Sequence, residues 1–254
     1  MSIAKSLNEK LLNQVFTAEE KKLLDLSHFK YTAWMYAQIE NSVAVLSDMS
    51  TNKSYIYNGG VAKKLGLSVS NPTEELDSIW EDEIFDRIHP DDLVDKHLLE
   101  LQFFNMIKSI PVAQRANFHV KSRIRMLDES NQYIYIKHRM FYMGSLPNGS
   151  LWLALCLYNF IEEELVVQKT ERVIINSATG EIIKPDNQKS NNILSTREKE
   201  ILQLIRKGKI SKEIAGTFSI SINTVNRHRQ NILEKLMVSN SHEACRLAEL
   251  LELI

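Results

Sequence analysis

The spacing of apolar positions changes period along the chain. In "IAKSLNEKLLNQVF", Leu7, Leu11 and Leu12 recur at helical spacing, and Thr17 and Glu20 of the following "TAEE" have the separation of a reciprocal helix-start cap. The helical pattern continues through "KKLLDLSHF"; these segments are expected to pack on the neighbouring domain, with a dimer-forming role as the alternative. From Asn41 the period falls to two. "SVAVLSDM" and "KSYIYN" flank Ser50-Thr51-Asn52, which predicts a hairpin. Gly59-Gly60 ends the second run, "VAKKLGL" reads as a short helix, and helical pattern returns in "IWEDEIFDRI" and "HPDDLVDKHLLELQFFNMIKS". Pro90 suits the first position of that last helix, with acids in its first turn.

Three strands follow. "NFHVKSRIRML" places Phe118, Val120, Ile124 and Met126 on one face and His119, Lys121, Arg123 and Arg125 on the other. After a turn at Asp128 to Asn131, "QYIYIKHRMFYM" alternates again, and Pro147-Asn148-Gly149 turns the chain. "LWLALCLYNF" is apolar on both faces, as a central, doubly covered strand should be. "VIINSATGEIIKP" reads as a small hairpin turning at Thr179-Gly180, and "DNQKSNN" as a polar linker.

The order hairpin, helices, antiparallel meander, with "IHPDD" opening the long helix, resembles a PAS domain over about residues 40 to 162. The resemblance implies a sensory or dimerising module, with any ligand held between sheet and helices.

From Leu194 the chain is helical throughout. "LSTREKEILQLIRKG" sets Ser195 three before Glu198, so each side chain can satisfy backbone donors at the helix start. Ile201, Leu202, Leu204 and Ile205 form its core stripe, and Gly208 is placed to end it. "SKEIAGTF" is a second, short helix, "SISIN" a break, "SINTVNRHRQNILEKL" a third helix, and "SNSHEACRLAELLELI" a fourth, with Ala244, Leu247, Leu250 and Leu251 on one face. In the third, Val225, Ile232, Leu233 and Leu236 form an apolar face, while Asn223, Asn226, Arg227 and Gln230 lie opposite, with no acid before Glu234. Within Ser211 to Gln230, Ala215 and Val225 occupy the fifth and fifteenth positions, as a helix-turn-helix requires. The ninth, at the turn, is Ser219 where glycine is usual; a left-handed serine there costs on the order of 1 kcal/mol.

"LSTREKEILQLIRKGKISKEIA" followed by "SINTVNRHRQNILEKLMV" resembles the LuxR-type (GerE-like) DNA-binding domain of bacterial transcription regulators. Ser195-Thr196-Arg197-Glu198, Lys212-Glu213-Ile214-Ala215, Thr224-Val225, His228 and Lys235-Leu236 all fall on the family pattern; Met237 stands where glycine is common. In helix-turn-helix proteins the second helix of the pair enters the major groove. That makes Asn223, Asn226, Arg227 and Gln230 the expected base contacts, since arginine can take guanine bidentately and the carboxamides can take adenine. Lys209, Lys212, Thr224, Arg229 and Lys235 are the expected phosphate contacts, supplying affinity without sequence information.

Charge agrees with that division. The net charge of −1 splits into +3 from Ser195 onward, ten Lys+Arg against seven Asp+Glu, and −4 for the remainder. Arg206 to Lys235 holds seven basic residues against Glu213 and Glu234, as a polyanion partner would favour. Cys156 and Cys245 are too few and too far apart for a disulfide framework or a cysteine-based zinc site. The N-terminal residues have no apolar signal core and "LWLALCLY" is too short to cross a bilayer, so a cytoplasmic protein is expected, with no membrane partner.

Other features read as structural. His89-Pro90-Asp91-Asp92 sets carboxylates at a helix N-terminus rather than building a metal or catalytic site. His97 is a packing histidine rather than a haem ligand, and Cys156 lacks the surroundings of a flavin-binding site and reads as buried strand filler. Trp80, Trp152, Tyr133, Tyr135 and Tyr142 are core or packing groups. No nucleophile–base pair, phosphate loop or metal constellation stands out, so neither an enzyme nor a cofactor is expected.

The fold class expected is an α+β PAS-like domain, an antiparallel sheet with flanking helices, followed by an all-α four-helix LuxR-type domain. Its divisions are a helical segment over 1–39, the PAS-like domain over 40–165, hairpin and linker over 166–193, and the DNA-binding domain over 194–254. The function expected is a dimeric, sequence-specific transcriptional regulator on double-stranded DNA, its PAS-like module sensing an unidentified small molecule or setting dimer geometry. The LuxR-type resemblance implies dimers on two half-sites, with the fourth helix, Glu243 to Leu253, as the contact between reader domains. RNA polymerase stays open as a further partner. A protein-interaction adaptor with a degenerate reader and a sigma-factor-like promoter-recognition subunit are the alternatives.

Overall fold

The structure is a computed structural model describing residues 3–17, 25–67, 73–161, 172–184, 194–236, 238, 240–250 and 253–254. The chain divides into two units, Glu9–Pro185, and Met1–Asn8 with Asp186–Ile254. The helix start expected from Glu20, the polar linker and Met237 lie outside the described residues.

The larger unit is built on one antiparallel sheet in the order β3-β2-β1-β6-β5-β4-β7-β8. The strands are β1 (Val43–Asp48), β2 (Lys53–Asn58), β3 (Thr73–Leu76), β4 (Phe118–Leu127), β5 (Tyr133–Ser145), β6 (Leu151–Phe160), β7 (Arg172–Asn176) and β8 (Ile182–Ile183). β6 lies between β1 and β5 and is buried along its length except at Phe160, which is why its sequence is apolar at consecutive positions. β4 alternates strictly between buried and half-buried residues, as its sequence predicts. Asn52 and Asn131 take the left-handed conformation at the β1–β2 and β4–β5 turns, which their short polar side chains tolerate. The small hairpin expected near Thr179-Gly180 does form, but β7 pairs with β4, so it extends the sheet.

Helices α1 (Ile3–Leu12), α2 (Leu26–Ile39), α3 (Gly60–Lys64), α4 (Asp82–Phe85) and α5 (Pro90–Ser109) complete the first part of the chain. Asp25 caps α2, accepting from Ser27 N at 3.0 Å. Ala33 and Ala37 of α2 join Ala44, Leu46, Tyr55, Tyr57, Leu153, Leu155 and Leu157 in one core layer, where the small alanines let helix and sheet approach. The opposite sheet face is set by register: Ser122 pairs with His138, His138 with Tyr158, Met140 with Cys156, and Cys156 with Val45.

α5 begins at Pro90, with the ring of His89 accepting from Asp91 N at 3.2 Å. The two acids after it part company. Asp91 is half-buried, whereas Asp92 is buried and accepts from Arg125 N at 2.7 Å, Nε at 2.9 Å and Nη2 at 2.6 Å. Burial raises the Asp92 carboxyl, but the Arg125 bonds outweigh it and hold the group below its ordinary range. The carboxylate therefore ties α5 to β4 as well as facing a helix dipole. His97 is buried against the ring edges of Trp80 and Phe85, at 5.5 and 5.6 Å, and burial depresses its pKa to about 3. It is a neutral packing group.

Candidate nucleic-acid interface

The second unit carries α6 (Thr196–Arg206), α7 (Ser211–Phe218), α8 (Ile222–Leu236) and α9 (Ser241–Leu250). α6 opens on the reciprocal cap its sequence predicts: Ser195 Oγ accepts from Glu198 N at 3.3 Å and Glu198 Oε2 accepts from Ser195 N at 2.7 Å. Gly208, at φ 79°, ends it. Ser221 caps α8, its Oγ accepting from Thr224 N at 3.0 Å. Ile201, Leu202, Ile214, Val225, Ile232, Leu236, Ala244 and Leu247 are buried and form the core of the bundle.

Ala215 and Val225 are both buried where α7 and α8 cross, and Ser219 between them is left-handed at φ 53°, ψ 42°. The turn thus has the backbone usually given to glycine, and serine supplies it at a strain of roughly 1–2 kcal/mol.

At about 100° per residue, Asn223, Asn226, Arg227 and Gln230 fall within an arc of about 100° around α8 and span about 10 Å of its axis. Val225, Ile232 and Leu236 point the other way and are sealed in the core. All four polar residues are exposed to solvent. Asn223, Asn226 and Arg227 make no side-chain bond to another described residue, while Gln230 Nε2 donates to Glu234 Oε1 at 3.0 Å.

The residues expected at phosphates are differently engaged. Lys212 is exposed and makes no side-chain bond among the described residues. Lys209 pairs with Glu213 at 2.8 Å, and Thr224 Oγ1 exchanges a hydrogen bond with Ser221 Oγ at 2.8 Å. Arg229 is half-buried and donates to Ser241 Oγ at 3.0 Å. Lys235 reaches Glu198 at 2.7 Å, and that carboxylate is only 2% exposed. Desolvation raises Glu198, but the bonds from Lys235 and Ser195 prevail and its pKa is lowered. Lys235 therefore ties the end of α8 to the start of α6, a role its sequence position did not disclose.

One constellation that sequence reading missed lies in the other unit. Glu100 of α5, His138 of β5 and Cys156 of β6 are buried, with one ligand-type atom from each within 4.8 Å of the others. Lys96 Nζ donates to Glu100 Oε1 at 2.6 Å, and Ser122 Oγ bonds His138 Nδ1 at 3.0 Å. Burial pushes the Cys156 thiol up and holds His138 well below its ordinary range. Glu81, bonded by the Ser47 and Ser54 hydroxyls at 3.3 Å, is pushed up to about 7 by burial. A separate cavity of about 310 Å³ is lined by residues including Ile56, Leu67, Leu76, Trp80, Glu81 and Ile84.

Residues 192–248 match the model of the luxR family of bacterial regulatory proteins, so the C-terminal helices form a helix-turn-helix DNA-binding domain of that family. Over 59 residues the chain is 49% identical to an uncharacterized response regulatory protein, YgeK, of Escherichia coli K12, covering 23% of this chain and 40% of that protein. Over 76 residues it is 42% identical to the transcriptional activator EsaR of Pantoea stewartii, covering 30% of each. The chain thus spans well under half the length of these relatives. Among solved structures, the Vibrio cholerae VqmA dimer, described as a LuxR-type receptor, is 15% identical, covering 89% of this chain and 87% of that one at a TM-score of 0.33. E. coli SdiA is 16% identical, covering 99% and 97%, at a TM-score of 0.25. Among the described residues no helix is long and apolar enough to cross a membrane.

Proposed function

We propose that the protein is a cytoplasmic, non-enzymatic regulator of transcription that reads double-stranded DNA as a dimer. The observation that carries this reading is the outer strip of α8. Three exposed side chains able to pair with base edges, Asn223, Asn226 and Arg227, stand unbonded to other described residues opposite a sealed apolar face. The strip is about 10 Å long, commensurate with a major groove about 12 Å wide. In this reading Gln230 joins them at the bases, releasing Glu234. Lys209, Lys212, Thr224, Arg229 and Lys235 meet phosphates, four of them by extending or exchanging bonds they make in the free chain.

One small reader has a limited interface, so two half-sites read together give useful affinity. α9 is the surface proposed to pair the readers. The sheet unit is read as PAS-like: it senses a small molecule or sets the geometry of the dimer. The cavity beside Trp80 and Glu81 supports the sensory version.

The test is selection of a duplex from a random library by the full-length protein, followed by affinity measurement at two salt concentrations. Four cationic phosphate contacts per chain, with Thr224 uncharged, predict a log–log slope of roughly −3.6 per chain. Failure to enrich any sequence, with a flat slope, would instead mark the helices as a degenerate reader in an interaction adaptor.

A further inference from the structure

Glu100, His138 and Cys156 are 38 and 18 residues apart along the chain, yet the fold sets them side by side in the interior. Strand register accounts for two of them. His138 pairs with Tyr158 across β5 and β6, and Cys156 precedes Tyr158 by two residues, so the imidazole and the thiol share a sheet face as diagonal neighbours. Glu100 comes down on them from α5, four residues after Lys96, which is also on the buried side of that helix.

The imidazole is the informative member. It is 0% exposed, with Nδ1 on the Ser122 hydroxyl at 3.0 Å and Nε2 without a hydrogen-bond partner among the described residues. With the Ser122 oxygen taken as acceptor from Nδ1–H, the ring is the tautomer that carries a lone pair on Nε2. That lone pair faces Glu100 Oε1 at 3.9 Å and the Cys156 thiol. A buried polar atom with no partner is costly in a finished core, by about 1–3 kcal/mol. A histidine oriented through one nitrogen and open at the other is the arrangement that metal sites use. Glu100 is held in place in a similar way, since Lys96 Nζ donates to its Oε1 at 2.6 Å.

We propose that Glu100, His138 and Cys156 form a binding site for a borderline-soft divalent cation, zinc foremost, with a fourth position left to water or a further ligand. The donor set of one thiolate, one imidazole and one carboxylate is that of zinc rather than of calcium or magnesium. Tetrahedral ligands at zinc distances stand roughly 3.5 Å apart, so the present spacing, within 4.8 Å, closes by about 1 Å on binding. The Cys156 thiol gives up its proton to solvent as the metal–sulfur bond forms. The ion's charge is then met by the thiolate and Glu100, and Lys96 remains on Glu100 as an outer-shell donor. Bound there, the ion clamps α5 to β5 and β6. The proposal stands independently of DNA binding by the C-terminal helices.

Full-length protein expressed with supplemented zinc is weighed by native mass spectrometry, and metal-free protein is titrated with cobalt(II). The expected result is one metal per chain, with cobalt giving tetrahedral d–d bands and a thiolate charge-transfer band. Cys156→Ser, checked for folding by circular dichroism, loses the charge-transfer band, whereas Cys245→Ser keeps it. Ser122→Ala, which frees the ring without touching a ligand, weakens binding about 10- to 100-fold. A chain that carries no zinc and takes up no cobalt overturns the proposal, and so does a charge-transfer band that survives in Cys156→Ser and disappears in Cys245→Ser.

Discussion

Replacing Ser219 by glycine should stabilise the helical unit. Ser219 is left-handed at the end of α7, exposed to solvent, with its N–H directed to the carbonyls of Ala215 and Gly216. Because the side chain is small and not buried, its removal costs little packing, and the backbone bonds do not depend on it. The left-handed conformation costs a residue with a Cβ roughly 1–2 kcal/mol. Glycine's greater freedom in the unfolded chain returns about 0.4–1 kcal/mol of that. The net gain is about 0.5–1 kcal/mol, or an upward shift of roughly 3–6 °C for a unit of this size. Thermal unfolding followed by far-ultraviolet circular dichroism measures it, with Ser219→Ala as the comparator. Alanine keeps the Cβ and so keeps the strain; it should leave the transition within a few tenths of a kcal/mol of the parent. A glycine variant no more stable than the parent, or an alanine variant gaining as much as glycine, would refute the assignment of the strain to the Cβ.

Three further outcomes follow from the same geometry. Gly216 lies inside α7 with nothing within 4 Å of where a Cβ would sit, so Gly216→Ala should stabilise the helix by about 0.5–1 kcal/mol in urea unfolding. Asp92→Ala strips Arg125 of its carboxylate and leaves its strand N–H unbonded, which should cost about 3 kcal/mol and lower the midpoint of sheet unfolding. Glu198 has a lowered pKa, so its contribution is present above its unfolded value near 4.5 and is lost as pH falls through the folded value; Glu198→Gln should flatten that part of the acid-unfolding curve.

Much of the C-terminal domain is legible in sequence because its determinants are local. The Ser195–Glu198 cap, the Gly208 stop, the Ala215–Val225 crossing and the two faces of α8 each follow from spacing within one or two turns. The alternation of β4 and the doubly apolar β6 are equally readable. What depends on distant pairing is not. Nothing in "VIINSATGEIIKP" says that β7 will pair with β4, and nothing in Lys235 says that it will be held by Glu198, 37 residues earlier. Asp92 reads as a helix-dipole acid because its guanidinium partner lies on a strand 33 residues away. The Glu100–His138–Cys156 group has no motif spacing because three separate elements supply it, and only the register of β5 against β6 brings two of its members together.

The central claim is that the outer strip of α8 reads bases, and the most direct measurement is operator discrimination by Asn226→Ala and Arg227→Ala. Both side chains are exposed and unbonded to other described residues, so the variants should unfold at the parent's temperature. Asn226→Ala should bind random duplex as the parent does, and Arg227→Ala should bind it somewhat more weakly for the loss of one charge. Affinity for the selected operator should fall by about 1–3 kcal/mol for each base-reading side chain removed, about 5- to 150-fold. Variants that keep the parent's ratio of operator to random-sequence affinity would contradict the account.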